Sequence, residues 1–375
     1  MFKYLKYFFP VFVAFLAMIF YLQGPNYPIF FLFLYSVIII AGDFLVNPDS
    51  KIQKFSYPKI LNFSMYLNLP IMFIMIFFVI SIFSSINPLW YIDFFKNFLN
   101  IDFIELKNSY SILDKIAIII HTSLLVGSMG ITAGHELTHR KKNKFDMFVG
   151  NWLLSFSWDC NFAIEHVYGH HKNVCLDEDP ASAKRGQNIY GFIIKAIIDE
   201  HKSGWDIELK RLTRKNNNVI SLKNKMIIGY LRSIILSFFA FIFGGIFGLL
   251  TFLLIAFISK TFLEAINFIE HYGLIRERDK PVKMRHSWNS NHFFSSIFLY
   301  NVTRHSHHHK NSNLKFWELE PINENAPMLP YGYLTMLYLV LFLPFIYNKI
   351  MKKELVNWDE NFASKMELIL LKKSF

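Results

Sequence analysis

Six apolar runs dominate the chain, at about 8–22, 27–44, 67–83, 116–134, 227–243 and 245–268. Each is near the ~20 residues a helix needs to cross a bilayer, where only helices and closed barrels satisfy their backbone groups. The pattern predicts an all-α integral membrane protein, a single domain of six transmembrane helices. Composition agrees: the 375 residues are 53% hydrophobic with 42 Phe, and the mean hydropathy of +0.29 is high for a soluble enzyme. The net charge of +11 comes from Lys and Arg placed between apolar runs, so lipid headgroups or an acidic partner explain it better than nucleic acid.

The orientation follows from where the cations lie. Gln23–Asn26 is an uncharged turn, whereas the link after the second run carries Lys51, Lys54 and Lys59, which puts that link and the N-terminus in the cytoplasm. Lys3 and Lys6 precede the first run without a small-residue cleavage site, which predicts a retained span. Ser84–Lys115 then lies outside, Gly244-Gly245 makes a short outer turn, and the segments 135–225 and 271–330 form a cytoplasmic helical cap. Lys202–Lys225 reads as an amphipathic surface helix, and the run 331–347, broken by Pro344, as re-entrant or interfacial.

Most of the 14 histidines gather in that cap. His135-Glu136-Leu137-Thr138-His139 has i, i+4 spacing, as do His166 and His170 in Glu165–His171, with His171 about 100° away on a helix. His305-Ser306-His307-His308-His309 and Glu270-His271 complete the set. His135, His139, His166, His170, His171, His271, His305, His308 and His309 are too many ligands for one transition metal, so two metals are implied. Spacing does not choose the element, since imidazole suits Zn, Cu, Fe and Ni alike. In so apolar a setting the natural task is oxygen activation on a hydrocarbon, which suits two irons. Glu136, Glu165, Glu270, Asp177 and Asp179 stand where they could accept the other ring N–H and orient the imidazoles.

These stretches resemble the membrane-bound non-haem di-iron alkane 1-monooxygenases of the fatty acid desaturase and hydroxylase superfamily. His135–Arg140 is similar to the family's HELxHK box, Glu165–His171 to EHxxGHH, Asn267–Gly273 to NYxEHYG and Arg304–His309 to RHSDHH. The resemblance runs from about residue 114 to 350. It implies O₂-dependent terminal hydroxylation of a medium- or long-chain alkane at a di-iron centre held by the nine histidines. Electrons would come from rubredoxin and its reductase, and the site would lie on the cytoplasmic side of a bacterial inner membrane. His307 replaces an acidic residue of the last box, removing a carboxylate and adding an imidazole beside the metals. Relatives that hydroxylate or desaturate alkyl-aromatic or fatty acyl substrates share the histidines.

Two other classes compete. HExxH alone is a zinc metalloprotease signature with Glu136 as base, but it leaves six histidines idle. A metal transporter would need ionisable residues inside the spans, and these read as nearly apolar apart from His121. That residue lies 14 positions before His135, about 21 Å along a helix, and reads as a packed histidine with a minority role along a substrate tunnel. His286 and His292 read as turn or outer-sphere groups, His201 as a surface residue, and Cys160 and Cys175 as buried thiols without a CxxC pair.

Overall fold

The computed structural model describes residues 1–322 and 324–373. Five of its helices are long and apolar enough to cross a membrane: Phe2–Leu22, Tyr27–Leu45, Pro58–Phe83, Ile112–His139 and Lys225–His271. This is a multi-pass membrane protein, all-helical among the described residues apart from an isolated bridge between Asn289 and Met328. Phe33, Phe238 and Phe257 are more than half exposed, as expected for side chains that face lipid.

The sixth run is the second arm of the last helix. Lys225–His271 has 47 residues, about 70 Å if straight, and that length is never reached because the chain reverses at Gly245 (φ 62°, ψ −159°). A Cβ placed on Gly248 would lie 2.8 Å from the Ala240 carbonyl oxygen, whereas eight residues of unbroken helix span about 12 Å. Both arms return to the segment around residue 160. Gly229 packs on the Cys160 backbone, and Lys260 Nζ lies 2.9 Å from Asp159 Oδ1.

That lysine corrects the expectation of nearly apolar spans. Lys260 and Glu264 sit inside the second arm, and Lys260 Nζ is also 2.8 Å from Glu200 Oε2 and 2.8 Å from Glu264 Oε1. Asn267 Nδ2 donates to both glutamates (3.3 and 3.1 Å). Short apolar stretches on either side hide such a group from a hydropathy average; three carboxylates make its burial tolerable.

Ile112–His139 starts with a Ser111–Asp114 capping box and passes through a π-helical stretch, Val126–Thr132, before its last turns. Gly134 and Gly150 let Lys144–Ser155 pack close to those turns: a Cβ on Gly134 would sit 3.0 Å from the Gly150 carbonyl oxygen. Elsewhere the boundaries differ from the sequence reading. The amphipathic helix is Ile189–Thr213, capped by Asn188, and Lys225 instead opens the next helix. Tyr333–Phe342 has 10 residues, about 15 Å and too short to cross, because Leu343 leaves the helical region and Pro344 begins Pro344–Asn361.

Candidate metal centre

Four segments carry the nine histidines to one place. The end of Ile112–His139 presents His135 and His139 one turn apart; the helical hairpin ends at His271; a short helix, His305–Lys310, presents His305, His308 and His309. The fourth segment departs from the expected geometry. His166–His170 is π-helical, and the His171 N–H bonds the His166 carbonyl five residues back. That wider turn aligns i with i+5, so His166 pairs with His171 and not with His170.

The imidazoles form two groups. His135, His139, His166, His171 and His308 make one; His170, His271, His305 and His309 make the other, and within each group one ligand atom per residue lies within 4.8 Å of all the rest. In the first group Nε2 atoms meet at 3.0 Å (His135 and His139) and at 3.1 Å (His135 and His308, His308 and His171, His171 and His166). In the second, His170 meets His309 at 3.2 Å, His309 meets His305 at 2.9 Å and His305 meets His271 at 3.3 Å.

Hydrogen bonds among the rings do not account for the second group. His170 Nδ1 lies 3.0 and 3.1 Å from the Asp179 carboxylate, and His271 Nδ1 lies 3.0 Å from the His286 carbonyl oxygen. Both partners only accept, so each Nδ1 holds its ring's proton and each Nε2 offers a lone pair. For His170 and His271 to receive protons, His309 and His305 must both carry N–H at Nε2, and then those two N–H groups oppose each other at 2.9 Å. At most two of the three contacts are hydrogen bonds. A cation accepts all four lone pairs at once, and it is the partner this donor set fits. Burial first, and neighbouring imidazoles second, hold His166, His171, His305 and His309 well below the usual histidine range and bring His308 to about 3. These five rings are therefore neutral, the form that binds metal.

The expected carboxylates divide. Asp179 orients His170, and burial notwithstanding, that histidine holds its carboxyl below the usual range. Glu270 lies 3.2 Å from His305 Nε2, on the lone-pair side of the ring and not behind it. Glu165 accepts from Ser203 Oγ at 3.0 Å and Glu136 from Arg140 at 2.6 Å, so neither takes a histidine N–H; the Arg140 contact also occupies the glutamate that a protease would need as base. Asp177 is exposed and paired with Lys184 at 2.7 Å, because the turn that brings Asp179 inward leaves it outside. His307 belongs to neither group: its ring turns outward and Nδ1 accepts the Glu320 N–H at 2.9 Å. His286, read from the sequence as a turn or outer-sphere group, serves through its backbone carbonyl, which accepts from His271; no sequence signal pointed to Glu367, which binds His286 Nε2 at 2.9 Å and Arg285 Nε at 2.9 Å from the last described helix.

Comparison with known proteins meets this geometry. The fatty acid desaturase family matches residues 115–340, which hold all nine histidines. The chain belongs to the fatty acid desaturase family. Among curated relatives, alkane 1-monooxygenase 2 of Alcanivorax borkumensis is 37% identical over 256 residues, 66% of this chain and 65% of that protein. Alkane 1-monooxygenase of Pseudomonas putida is 33% identical over 65% of this chain and 61% of its own length. The hydroxylase component of xylene/toluene monooxygenase from Pseudomonas putida is 31% identical over 66% of each. The matched part thus spans a little under two thirds of these relatives. For this member of the desaturase family the paired histidine groups are a metal centre.

Proposed function

We propose that the chain is a membrane di-iron monooxygenase that hydroxylates the terminal methyl of a medium- or long-chain alkane. The observation that carries this reading is the pair of adjoining all-imidazole groups; a small apolar slot of about 50 Å³ lies between two of the helices that end at them, lined by Leu124, Ile131 and Ile266. His135, His139, His166, His171 and His308 would hold one iron, and His170, His271, His305 and His309 the other. Bound iron would supply the activation of O₂ that carbon–hydrogen chemistry requires. The protein's part is to bring the nine rings together, fix His170 and His271 through Asp179 and the His286 carbonyl, and keep water from a substrate that offers nothing polar to grip. The slot selects by length and shape, with roughly 0.8 kcal/mol per buried CH₂. The balance is one O atom into the C–H bond and one into water, with two protons from solvent and two electrons from rubredoxin docked on the basic face near Lys141, Lys142 and Lys144.

In this reading the reversal at Gly245 makes a sixth crossing, and the histidines face the cytoplasm from the inner membrane. The relatives named for alkanes and for xylene/toluene set the substrate panel. Metal analysis of the detergent-purified protein, with His308→Ala beside it, tests the proposal. About two irons per chain, falling to about one in the variant, and oxidation of octane to hexadecane with rubredoxin and O₂ support it. One zinc per chain, unchanged in the variant, overturns it.

A further inference from the structure

The end of the helical hairpin away from the histidines lies beside two lysines that no carboxylate neutralises. Lys107, on the short helix Phe103–Ser109, is 7% exposed. Its ammonium donates to the Ser84 carbonyl oxygen at 2.8 Å and to Asn87 Oδ1, which leaves one of its three N–H groups over. Burial pushes that ammonium below its ordinary range, and no carboxylate offsets the shift. Lys115, near the start of Ile112–His139, has no side-chain partner among the described residues. The carboxylates close by in sequence are committed elsewhere. Asp114 accepts from Ser111 Oγ and from the Asn26 N–H, and Asp102 caps the helix that carries Lys107. Glu105 is exposed and, two residues before Lys107, stands on another side of that helix.

Both lysines line one cavity of about 480 Å³, and among the described residues no carboxylate lines it. Another wall is apolar. Phe247, Leu250 and Leu254, spaced i, i+3 and i+7 on the second arm of the hairpin, share one helix face. They are 57%, 53% and 44% exposed, as side chains that meet lipid tails are. The cavity also lies at a particular depth. Ser84 Oγ is 3.4 Å from the Phe243 carbonyl oxygen, and a Cβ on Gly245 would meet Ser85 Oγ at 3.2 Å, so Lys107 is level with the hairpin's turn. From Gly245 to His271 is 26 residues, about 39 Å of helix, against a hydrocarbon core of about 30 Å. With the hairpin crossing as proposed above, the two ammoniums stand at the membrane surface opposite the histidines, where headgroup phosphates begin.

We propose that this cavity holds an anionic phospholipid, with its phosphodiester on Lys107 and Lys115 and one acyl chain along Phe247, Leu250 and Leu254. A buried ammonium without a counter-ion is costly, and a phosphate supplies both the charge and an acceptor for the spare N–H. A free phosphate would satisfy the lysines but leave the apolar wall bare. A zwitterionic lipid would bring a third cation to two that are already unpaired. The bound lipid ties the Ser84 link, the Phe103–Ser109 helix and the start of Ile112–His139 to the hairpin, at the end of the molecule that the iron chemistry does not use.

Native mass spectrometry of the detergent-purified full chain tests this, with melting temperature followed in parallel. The protein is titrated with dioleoylphosphatidylglycerol, dioleoylphosphatidylcholine or inorganic phosphate, and Lys107→Gln, Lys115→Gln and Lys115→Arg are compared with the unaltered chain. The first phosphatidylglycerol is expected to bind roughly tenfold more tightly than phosphatidylcholine, with two cations contributing at the headgroup, and to raise the melting temperature. Lys115→Gln should weaken that binding about fivefold, the share of one cation, while Lys115→Arg keeps it. Lys107→Gln should weaken it at least as much; should that variant fail to fold, Lys115→Gln decides alone, since its side chain holds no partner in the fold. Equal binding of the two lipids, phosphatidylglycerol binding unchanged in Lys115→Gln, or the same protection from inorganic phosphate overturns the inference. Protein that binds the lipid as expected yet takes up no iron upholds this site and sinks the monooxygenase reading.

Discussion

Two buried polar clusters lie against the same helical hairpin, and they solve one problem in opposite ways. Around Lys260 the cation comes covalently: Asp159, Glu200 and Glu264 close on one ammonium at 2.8–2.9 Å. Around His271 and its partners the protein supplies only lone pairs, and the positive charge must be imported. The first cluster is complete as soon as the chain folds and ties Ile189–Thr213, the Asp159 turn and the hairpin together. The second is complete only with metal, which makes it exchangeable and therefore useful for chemistry. Carrying its own counter-charge makes a cluster structural; lacking one makes it a site.

The largest effect expected from breaking this contrast is on stability. Lys260→Met leaves three buried carboxylates without a cation and should cost about 3–5 kcal/mol, seen as a lower melting temperature and less monodisperse protein, with no recovery on adding iron. Recovery with iron would mean that the two clusters are one system. Next, Asp179→Asn frees the His170 ring and should weaken metal binding ten- to a hundredfold at the four-histidine group alone; a titration in which both groups weaken equally would erase the distinction between them. The smallest effect belongs to the outer edge. Burial would raise the Glu367 carboxyl, but His286 and Arg285 hydrogen bonds bring it down to about 2. A carboxyl lowered on folding stabilises above its unfolded value and loses that contribution as pH falls toward the folded one. Glu367→Gln should therefore cost about 1–2 kcal/mol at pH 7, and the gap in melting temperature should close between about pH 5 and pH 2.

Much of the centre was legible because its spacing is written in side chains. His135 with His139 and His305 with His309 are one helical turn apart, and each pair does fall within one group. The apolar runs likewise placed the long helices, since a bilayer demands a length that hydropathy reveals. What stayed hidden depends on the backbone. Nothing in Glu165–His171 announces a π turn, so the reading that joined His166 to His170 assumed an ordinary helix. Asp177 and Asp179 look equivalent in sequence and are separated only by the tertiary direction of their turn. Lys260 and Glu264 were averaged away by their apolar neighbours, though an i, i+4 ion pair inside a span is a visible signal once sought.

The reversal at Gly245 bears on how the protein reaches the membrane. A chain is made from its N-terminus, so Asp159 and Glu200 exist before Lys260 leaves the ribosome. With a sixth crossing at that turn, as proposed above, the two apolar arms would enter the bilayer together as a loaded hairpin, Lys260 and Glu264 already neutralising each other one turn apart. The arm that would be hardest to insert alone travels with its own partner, and the two waiting carboxylates then fix how deep it comes to rest.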